Sequence, residues 1–384
     1  MNKEGFTERS STMTTSTSQT HGTVVGYPTI ARAKRRPHET ETRALISRKL
    51  AALKGCGFAG DFDPSRTYPG PLYHVPDETL VEPGIADRLG IRSEHDLFGG
   101  VVPHAFVATK AITHPLVDPA AAAPAGWSHA FASRIADAVL AGFTVFSEAD
   151  AHIAFAKLLA EGPVRIKPVH EKGGQGQSVA RTEAELTEAL AVIDRDELAA
   201  CGLVLEENLA EVETHSVGQV RVADLTVSYF GTQRLTPNNR GVQVYGGTEL
   251  LAVRGGYAEL TKLDLPEAAK TAITQACAYD TAAMETFPGM FVSRRNYDIA
   301  VGFDAKGRHR SGVLEQSWRL GGASGAEIAA LEGFRANPRA MALRTATVEL
   351  YGEGRQPPSD ATIYFHGVDE HAGPLLKYTV TERP

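Results

Sequence analysis

The sequence predicts an α+β protein built on antiparallel sheets, and three observations predict it. Strand-like and helix-like segments alternate along the chain. Two strand pairs read as hairpins: "VRVADLTVSYFGTQRL" turns at Ala223 and Asp224, and "NYDIAVGFDAKGRHRSGVLEQSW" turns near Lys306 and Gly307. Two capping boxes, Thr182 with Glu185 and Ser324 with Glu327, open helices outside those hairpins. Such a mixed order fits α+β better than a doubly wound parallel sheet.

Each element has its own local signal. Residues 1–40 contain "SSTMTTSTSQT" and "ARAKRRPHETET", polar stretches that bury too little surface to offset ordering entropy, so a disordered tail is expected there. A helical pattern starts at Thr42, and a Gly/Pro-rich loop follows it to Pro71. The stretch "DLFGGVVPHAFVATKAITHPLV" mixes short apolar runs with Gly and Pro; with the first helix it makes a small α/β unit over residues 41–125. Next, Phe131, Ile135 and Val139 mark one helix face, stopped at Gly142, and "ADAHIAFAKLLAEG" is a second helix. In "GPVRIKPVHEKGGQGQSV", Val164 and Ile166 alternate with Arg165 and Lys167, a strand with two apolar side chains on one face and two cations on the other. Leu186, Leu190 and Ile193 form the buried stripe of the helix that Thr182 caps, and "GLVLEENL" is a buried strand ending in acids. These segments form a unit over residues 126–205, with the second large unit over 206–384. In the latter, Pro266 opens a helix over Ala269, Ile273 and Cys277, and Ser324 opens one over Ile328, Leu331 and Phe334.

Composition narrows the function. The 384 residues are 42% hydrophobic with a formal charge of −7 and no Lys/Arg stripe, which argues against a nucleic-acid or anionic-membrane surface. Cys56, Cys201 and Cys277 are far apart and odd in number, so neither a disulfide framework nor a zinc site is expected. No apolar run reaches bilayer length and no signal-peptide core opens the chain; a cytoplasmic protein with reduced thiols is expected.

The chemistry concentrates at the glycine cluster and the second hairpin. Lys167 precedes the glycines and no Gly-Lys-Ser/Thr follows them, which excludes a Walker A loop. Gly173, Gly174 and Gly176, with Gln175 between them, let backbone amides approach an anion, and Lys167 supplies a point charge for phosphate oxygens. By itself the segment reads equally well as a surface turn beside a solvated lysine. Glu206 and Glu207 close an apolar strand and Glu213 follows, either an exposed strand end or a clamp for a nucleoside. With the turn at Lys306 and Gly307, Asp298 and Glu315 face each other across the ladder. Two opposed carboxylates repel unless a cation sits between them, and Mg²⁺ accepts one or two carboxylates plus water and phosphate. A bulge at Gly307 would shift that register. Arg319 stands four residues beyond Glu315, suited to a carboxylate or a transferring phosphate, while Arg294 reads as a charge partner for nearby acids and Arg295 as a second catalytic cation. Gln316, on the alternate face, should point away. Trp127, Trp318 and Tyr245 are candidates for the lining of an acceptor pocket.

In this order, "RIKP", "EKGGQGQSV", "LEEN" and the late "YDIA" to "LEQSWR" resemble the ATP-grasp superfamily over about Ser133 to Ser324. "DLFGGVVPHAFVATKAITHPL", "SRRNYD" and "SGVLEQSWRLGGASGAE" resemble an uncharacterised bacterial ATP-grasp family, a domain of unknown function, over nearly everything after the tail. The resemblance implies two α+β lobes holding ATP, with a smaller N-terminal α/β domain completing the substrate cleft. Lys167 would bind phosphates, the glycine loop would close over them, Glu206 and Glu207 would flank adenine and Glu213 would hold ribose. Arg134 stands where the superfamily has an earlier lysine. Asp298 and Glu315 would ligate magnesium, and Ser317, where an asparagine is usual, would be a further ligand. The implied activity is ligation of a small-molecule carboxylate to an amine or thiol through an acyl phosphate, with Lys167, Arg295 and Arg319 as catalytic cations; a non-catalytic nucleotide-binding regulator with a degenerate site is the alternative. A homodimer is compatible with either.

Overall fold

The computed structural model describes residues 21–29, 35–170 and 176–382. In the N-terminal unit, β1 (Thr23–Tyr27) lies between β2 (Gly57–Asp61) and β3 (Leu72–Pro76), parallel to both. The intervening helix α1 (Pro37–Lys54) places Ile46 and Leu50 in one core with Val24, Tyr73 and Val75, and Gly55 ends it at φ 66, donating its N–H to the carbonyls of Ala51 and Ala52. Strand β1 corrects the expectation of a tail through residue 40. "TVVGY" is a short β-branched run paired on both sides and buried; the Ser/Thr-rich residues before it hide it in any composition average. Strand β4 (Leu80–Val81), helix α2 (Pro83–Leu89) and strand β5 (Gly100–Val102) follow.

Helix α3 spans only His129–Arg134; the face expected to run on to Val139 breaks at Ile135 (φ −103, ψ 5) and tightens into a 3-10 turn, which delivers Val139 to a bridge with Val313. Strand β6 (Gly142–Val145), helix α4 (Glu148–Leu159), strands β7 (Val164–Pro168) and β8 (Ser178–Ala180), helices α5 (Glu183–Leu190) and α6 (Arg195–Cys201) and strand β9 (Leu203–Glu207) then make a four-stranded antiparallel sheet ordered β6-β9-β7-β8. Thr182 caps α5 by accepting from the Glu185 amide. Val164, Ile166, Leu203 and Leu205 share a core with Phe155 and Leu186, so strand alternation turns Lys167 and Glu206 to the opposite face.

The remaining chain forms β10 (Ala210–Val222), β11 (Leu225–Pro237), β12 (Gln243–Arg254), α7 (Tyr257–Leu260), α8 (Glu267–Thr286), β13 (Phe291–Val292), β14 (Arg294–Phe303), β15 (His309–Ser317), α9 (Ser324–Ala336), β16 (Ala342–Tyr351), β17 (Thr362–Asp369) and β18 (Gly373–Thr381). Eight of these strands pair antiparallel in the order β15-β14-β10-β11-β12-β16-β18-β17, and β13 joins β5 and β4 in a small sheet. Ala223 adopts φ 53 at the β10–β11 turn, where the sequence placed it. Helix α8 packs on one face of the large sheet with Tyr297, Ile299 and Val313; α9 lies on the other with Tyr229, Leu250 and Ala252. The capping box expected at Ser324 and Glu327 does not form: the Ser324 hydroxyl accepts from the Gly321 amide, while the Glu327 carboxylate turns to a stronger, charged partner, Arg294. No helix among the described residues is long and apolar enough to cross a membrane.

Candidate functional site

Where the four-stranded sheet meets the β15 edge of the large sheet, three basic and three acidic side chains come together. On β7 and β9 the antiparallel register sets Lys167 opposite Val204 and Arg165 opposite Glu206, which puts the ammonium and the carboxylate on one face. Lys167 Nζ donates to both Glu206 oxygens at 3.0 and 3.2 Å and lies 3.5 Å from the Leu314 carbonyl of β15. His114 Nε2 is 3.0 Å from the second Glu206 oxygen. Its ring needs a glycine beneath it, since a Cβ at Gly142 would fall 2.7 Å away. Lys167 is 2% and Glu206 1% exposed. Burial works against the Glu206 charge, but Lys167 and His114 outweigh it and hold the carboxyl at about 2.

On the large sheet, Asp298 and Glu315 are directly paired across β14 and β15, as expected. Next to the turn, where Gly307 adopts φ 74, the ladder pairs Phe303 with His309, one residue off the register of a turn at Lys306 and Gly307, and the irregularity between Asp298 and Ile299 takes up that residue and brings the two carboxylates opposite each other. Lys110 Nζ meets Glu315 Oε2 at 2.7 Å. Despite burial, Lys110 lowers the Glu315 pKa, whereas burial and the Glu315 charge raise that of Asp298, which neutral donors from Gln233, Asn296 and Ser216 only partly offset. A raised carboxyl facing a second carboxylate marks a place where a cation would relieve repulsion. Two opposed, partly exposed carboxylates are a donor set that fits Mg²⁺; no group of three His, Cys, Asp or Glu side chains among the described residues adds to them.

The other sequence candidates fall in several places. Arg319 donates to Glu78 of the N-terminal unit at 3.1 Å and is close enough to Glu315 to lower its pKa. Gly176 adopts φ 66 at the exit of the glycine loop; Gly173, Gly174 and Gln175 lie outside the described residues. Glu206 is the charge partner of Lys167. Glu207 accepts from Arg310 at 3.0 Å and from the Ala141 amide at 3.0 Å. Glu213 is exposed and pairs with Val301 on the α8 face, so alternation turns Thr214 and Ser216 towards Asp298 instead.

Three assignments are corrected outright. Arg134 is a surface residue paired with Glu285 of α8; Lys110 is the second cation in the cluster. Arg295 points from β14 to the α8 face, where it pairs with Asp280 at 3.0 Å, the odd-numbered side of a strand whose even side carries Asp298. Ser317 is an unsuitable metal ligand because its Oγ already accepts from the Arg294 guanidinium at 3.0 Å, which takes up the oxygen that a cation would need. Arg294 is a charge partner as expected, bound to Glu327, and Gln316 points away as expected, to Tyr279 and the carbonyls of Val107 and Thr109. Trp318 is buried against Tyr297 and Trp127 packs on Phe106 and Phe146, so both serve packing.

Sequence reasoning missed Lys110 and His114. The signal was present: a lysine and a histidine within "VATKAITHPL", an apolar segment, must find buried partners.

The fold is that of known ATP-grasp ligases. The crystal structure of the ADP complex of purK, N5-carboxyaminoimidazole ribonucleotide synthetase, is similar to the chain at TM-score 0.50 and 14% identity over 94% of this chain and 93% of that one. Carboxyaminoimidazole ribonucleotide synthase from Aspergillus clavatus complexed with ATP matches at TM-score 0.50 and 11% identity over 95% and 94%. At such identities the likeness shows the fold alone: two α+β lobes with a smaller N-terminal α/β domain. No curated protein matches the chain. A family model described as "Protein of unknown function (DUF3182)" matches residues 26–379, and the chain belongs to that family.

Proposed function

We propose that the protein is an ATP- and magnesium-dependent carboxylate ligase that joins a small-molecule carboxylate to an amine or a thiol in the cytoplasm. One observation carries the reading: in an ATP-grasp fold, Lys110 and Lys167 converge with the opposed pair Asp298 and Glu315 where the small lobe meets the large one. A free carboxylate is a poor acyl donor. Attack of its oxygen on the γ-phosphorus, with ADP leaving, gives an acyl phosphate; the amine or thiol then adds to the carbonyl, loses its proton and expels phosphate. In this reading Lys110 and Lys167 neutralise phosphate oxygens, and Arg319 receives the carboxylate or the phosphate leaving it. Asp298 and Glu315 would hold Mg²⁺, which supplies charge neutralisation at the phosphates. Bound nucleotide must draw Lys110 from Glu315 and compete with Glu206 for Lys167, so cation and nucleotide binding should support each other.

The full pairing of Glu206 with Lys167 and His114, which keeps the lysine engaged, favours a second reading, a nucleotide-binding regulator that does not turn over. Both bind ATP. A screen of carboxylates with amines and thiols for substrate-dependent ADP release separates them, with Lys167→Ala and Glu315→Ala as controls. Release that needs both substrates and is lost in both variants supports the ligase. ATP binding without release under any pair supports the regulator, and release that persists in the variants comes from a contaminant.

A further inference from the structure

A buried network behind Asp298 and Ser317 is not used by the chemistry above. Arg294 and Glu327 are 1% and 0% exposed, and Arg294 Nε and Nη2 donate to the Glu327 carboxylate at 2.8–3.1 Å. Arg294 Nη1 holds both the carbonyl and the hydroxyl of Ser317 at 3.0 Å. The Tyr229 hydroxyl lies 2.6 Å from Glu327 Oε1 and 3.0 Å from Asn296 Oδ1. Asn296 Nδ2 in turn donates to Asp298 Oδ1 at 2.8 Å. Backbone gives way for this chain: a Cβ on Gly218 would come 2.3 Å from the Tyr229 oxygen, so only glycine admits the hydroxyl. A pair of charges buried so completely has a high desolvation cost and is weak as a device for stability alone. Its reach to both strands that carry Asp298 and Glu315 suggests another use.

We propose that Glu327, Arg294 and Tyr229 are positioning residues for a divalent-cation site: Glu327 cancels the Arg294 charge that would otherwise oppose the cation, Arg294 fixes β15 at Ser317, and Tyr229 orients Asn296 and thereby Asp298. The proposal rests on Asp298 and Glu315 as cation ligands. Outer partners of this kind typically change metal affinity by about 10–100-fold.

Because breaking the buried Arg294–Glu327 pair endangers the fold, Tyr229→Phe carries the test: it removes one hydroxyl and leaves both charges paired. ADP affinity is measured by calorimetry in EDTA and in Mg²⁺, for wild type, Tyr229→Phe and Glu315→Gln. The expected result is a Mg²⁺-dependent gain in wild type that disappears in Glu315→Gln and falls about tenfold in Tyr229→Phe, with affinity in EDTA unchanged. A Tyr229→Phe gain within about twofold of wild type overturns the positioning role while the cation site stands. No gain in wild type, or a full gain in Glu315→Gln, overturns the cation site and this proposal with it.

Discussion

On the small-lobe side of the cluster, Glu206 is enclosed by Lys167 and His114, almost out of water, and every carboxylate oxygen has a basic partner. Across the junction, Asp298 bonds to neutral donors and faces an opposing carboxylate, and the Glu315 side chain is 28% exposed with Lys110 in direct contact. The first half is charge-balanced and closed; the second carries excess negative charge beside solvent. A group that contributes to folding is expected to look like the first, and a site that receives a cation like the second. Substitutions on the two sides should therefore move stability in opposite directions.

The largest effect is expected at Glu206. Glu206→Gln leaves the buried Lys167 without its counter-charge, and breaking such a pair destabilises by about 3–5 kcal/mol. Denaturant unfolding checks the size; a loss under about 1 kcal/mol would mean that the pair is not closed in solution. The pH dependence has a definite sign. The folded carboxyl is held at about 2, below its ordinary 4.5, so its contribution is complete above 4.5 and disappears as pH falls through about 2. The stability gap between wild type and Glu206→Gln should close over that window.

Asp298→Asn should do the reverse. With its pKa raised by burial and by Glu315, Asp298 binds its proton more tightly in the folded state, so its contribution is favourable at low pH and is lost as pH rises through the raised value. Removing the charge should leave stability near neutral pH unchanged or raised by up to about 1 kcal/mol, while the Mg²⁺-dependent gain in ADP affinity vanishes. Thermal melts at pH 5 and pH 8 test the sign: a variant less stable than wild type at both would show that Asp298 serves the fold.

The same contrast explains what could be read from the sequence. The hairpin was legible from its turn residues, but Asp298 meets Glu315 because a bulge at Asp298 and Ile299 offsets the one-residue shift at the turn, which no local signal gives; Gln316 falls on the far side as strand alternation requires. Lys167 was legible from alternation within "VRIKP". Partners that arrive from distant segments were not: Lys110 reaches Glu315 from a 3-10 turn with no periodic signal, and His114 reaches Glu206 because Gly142 lacks a side chain. Arg294 and Arg295 show the limit most plainly. Adjacent strand residues must face opposite ways, but the sequence does not say which of the two belongs with Asp298 until the sheet has a covered side; α8 takes Arg295 through Asp280, and α9 takes Arg294 through Glu327. The capping box at Glu327 failed for the same reason, a tertiary charge outcompeting a local amide.

The smallest effect on the Mg²⁺ dependence is expected at Ser317, and it tests whether the large-lobe half has two anionic ligands or a third, neutral one. Because the Ser317 Oγ accepts from Arg294 Nη1, and the same nitrogen also holds the Ser317 carbonyl, Ser317→Ala removes one of two bonds and leaves the guanidinium in place. A hydrogen bond to a charged group is worth about 1.5–3 kcal/mol at most, and the retained carbonyl bond should keep the loss near the lower figure. The Mg²⁺ concentration for half-maximal ADP binding should shift less than about threefold, since no ligand has been taken from the cation. A shift of about tenfold or more with stability unchanged would return Ser317 to the ligand set. It would also require Arg294 to release its hydroxyl when the cation binds, which makes the guanidinium a moving part and not a fixed support.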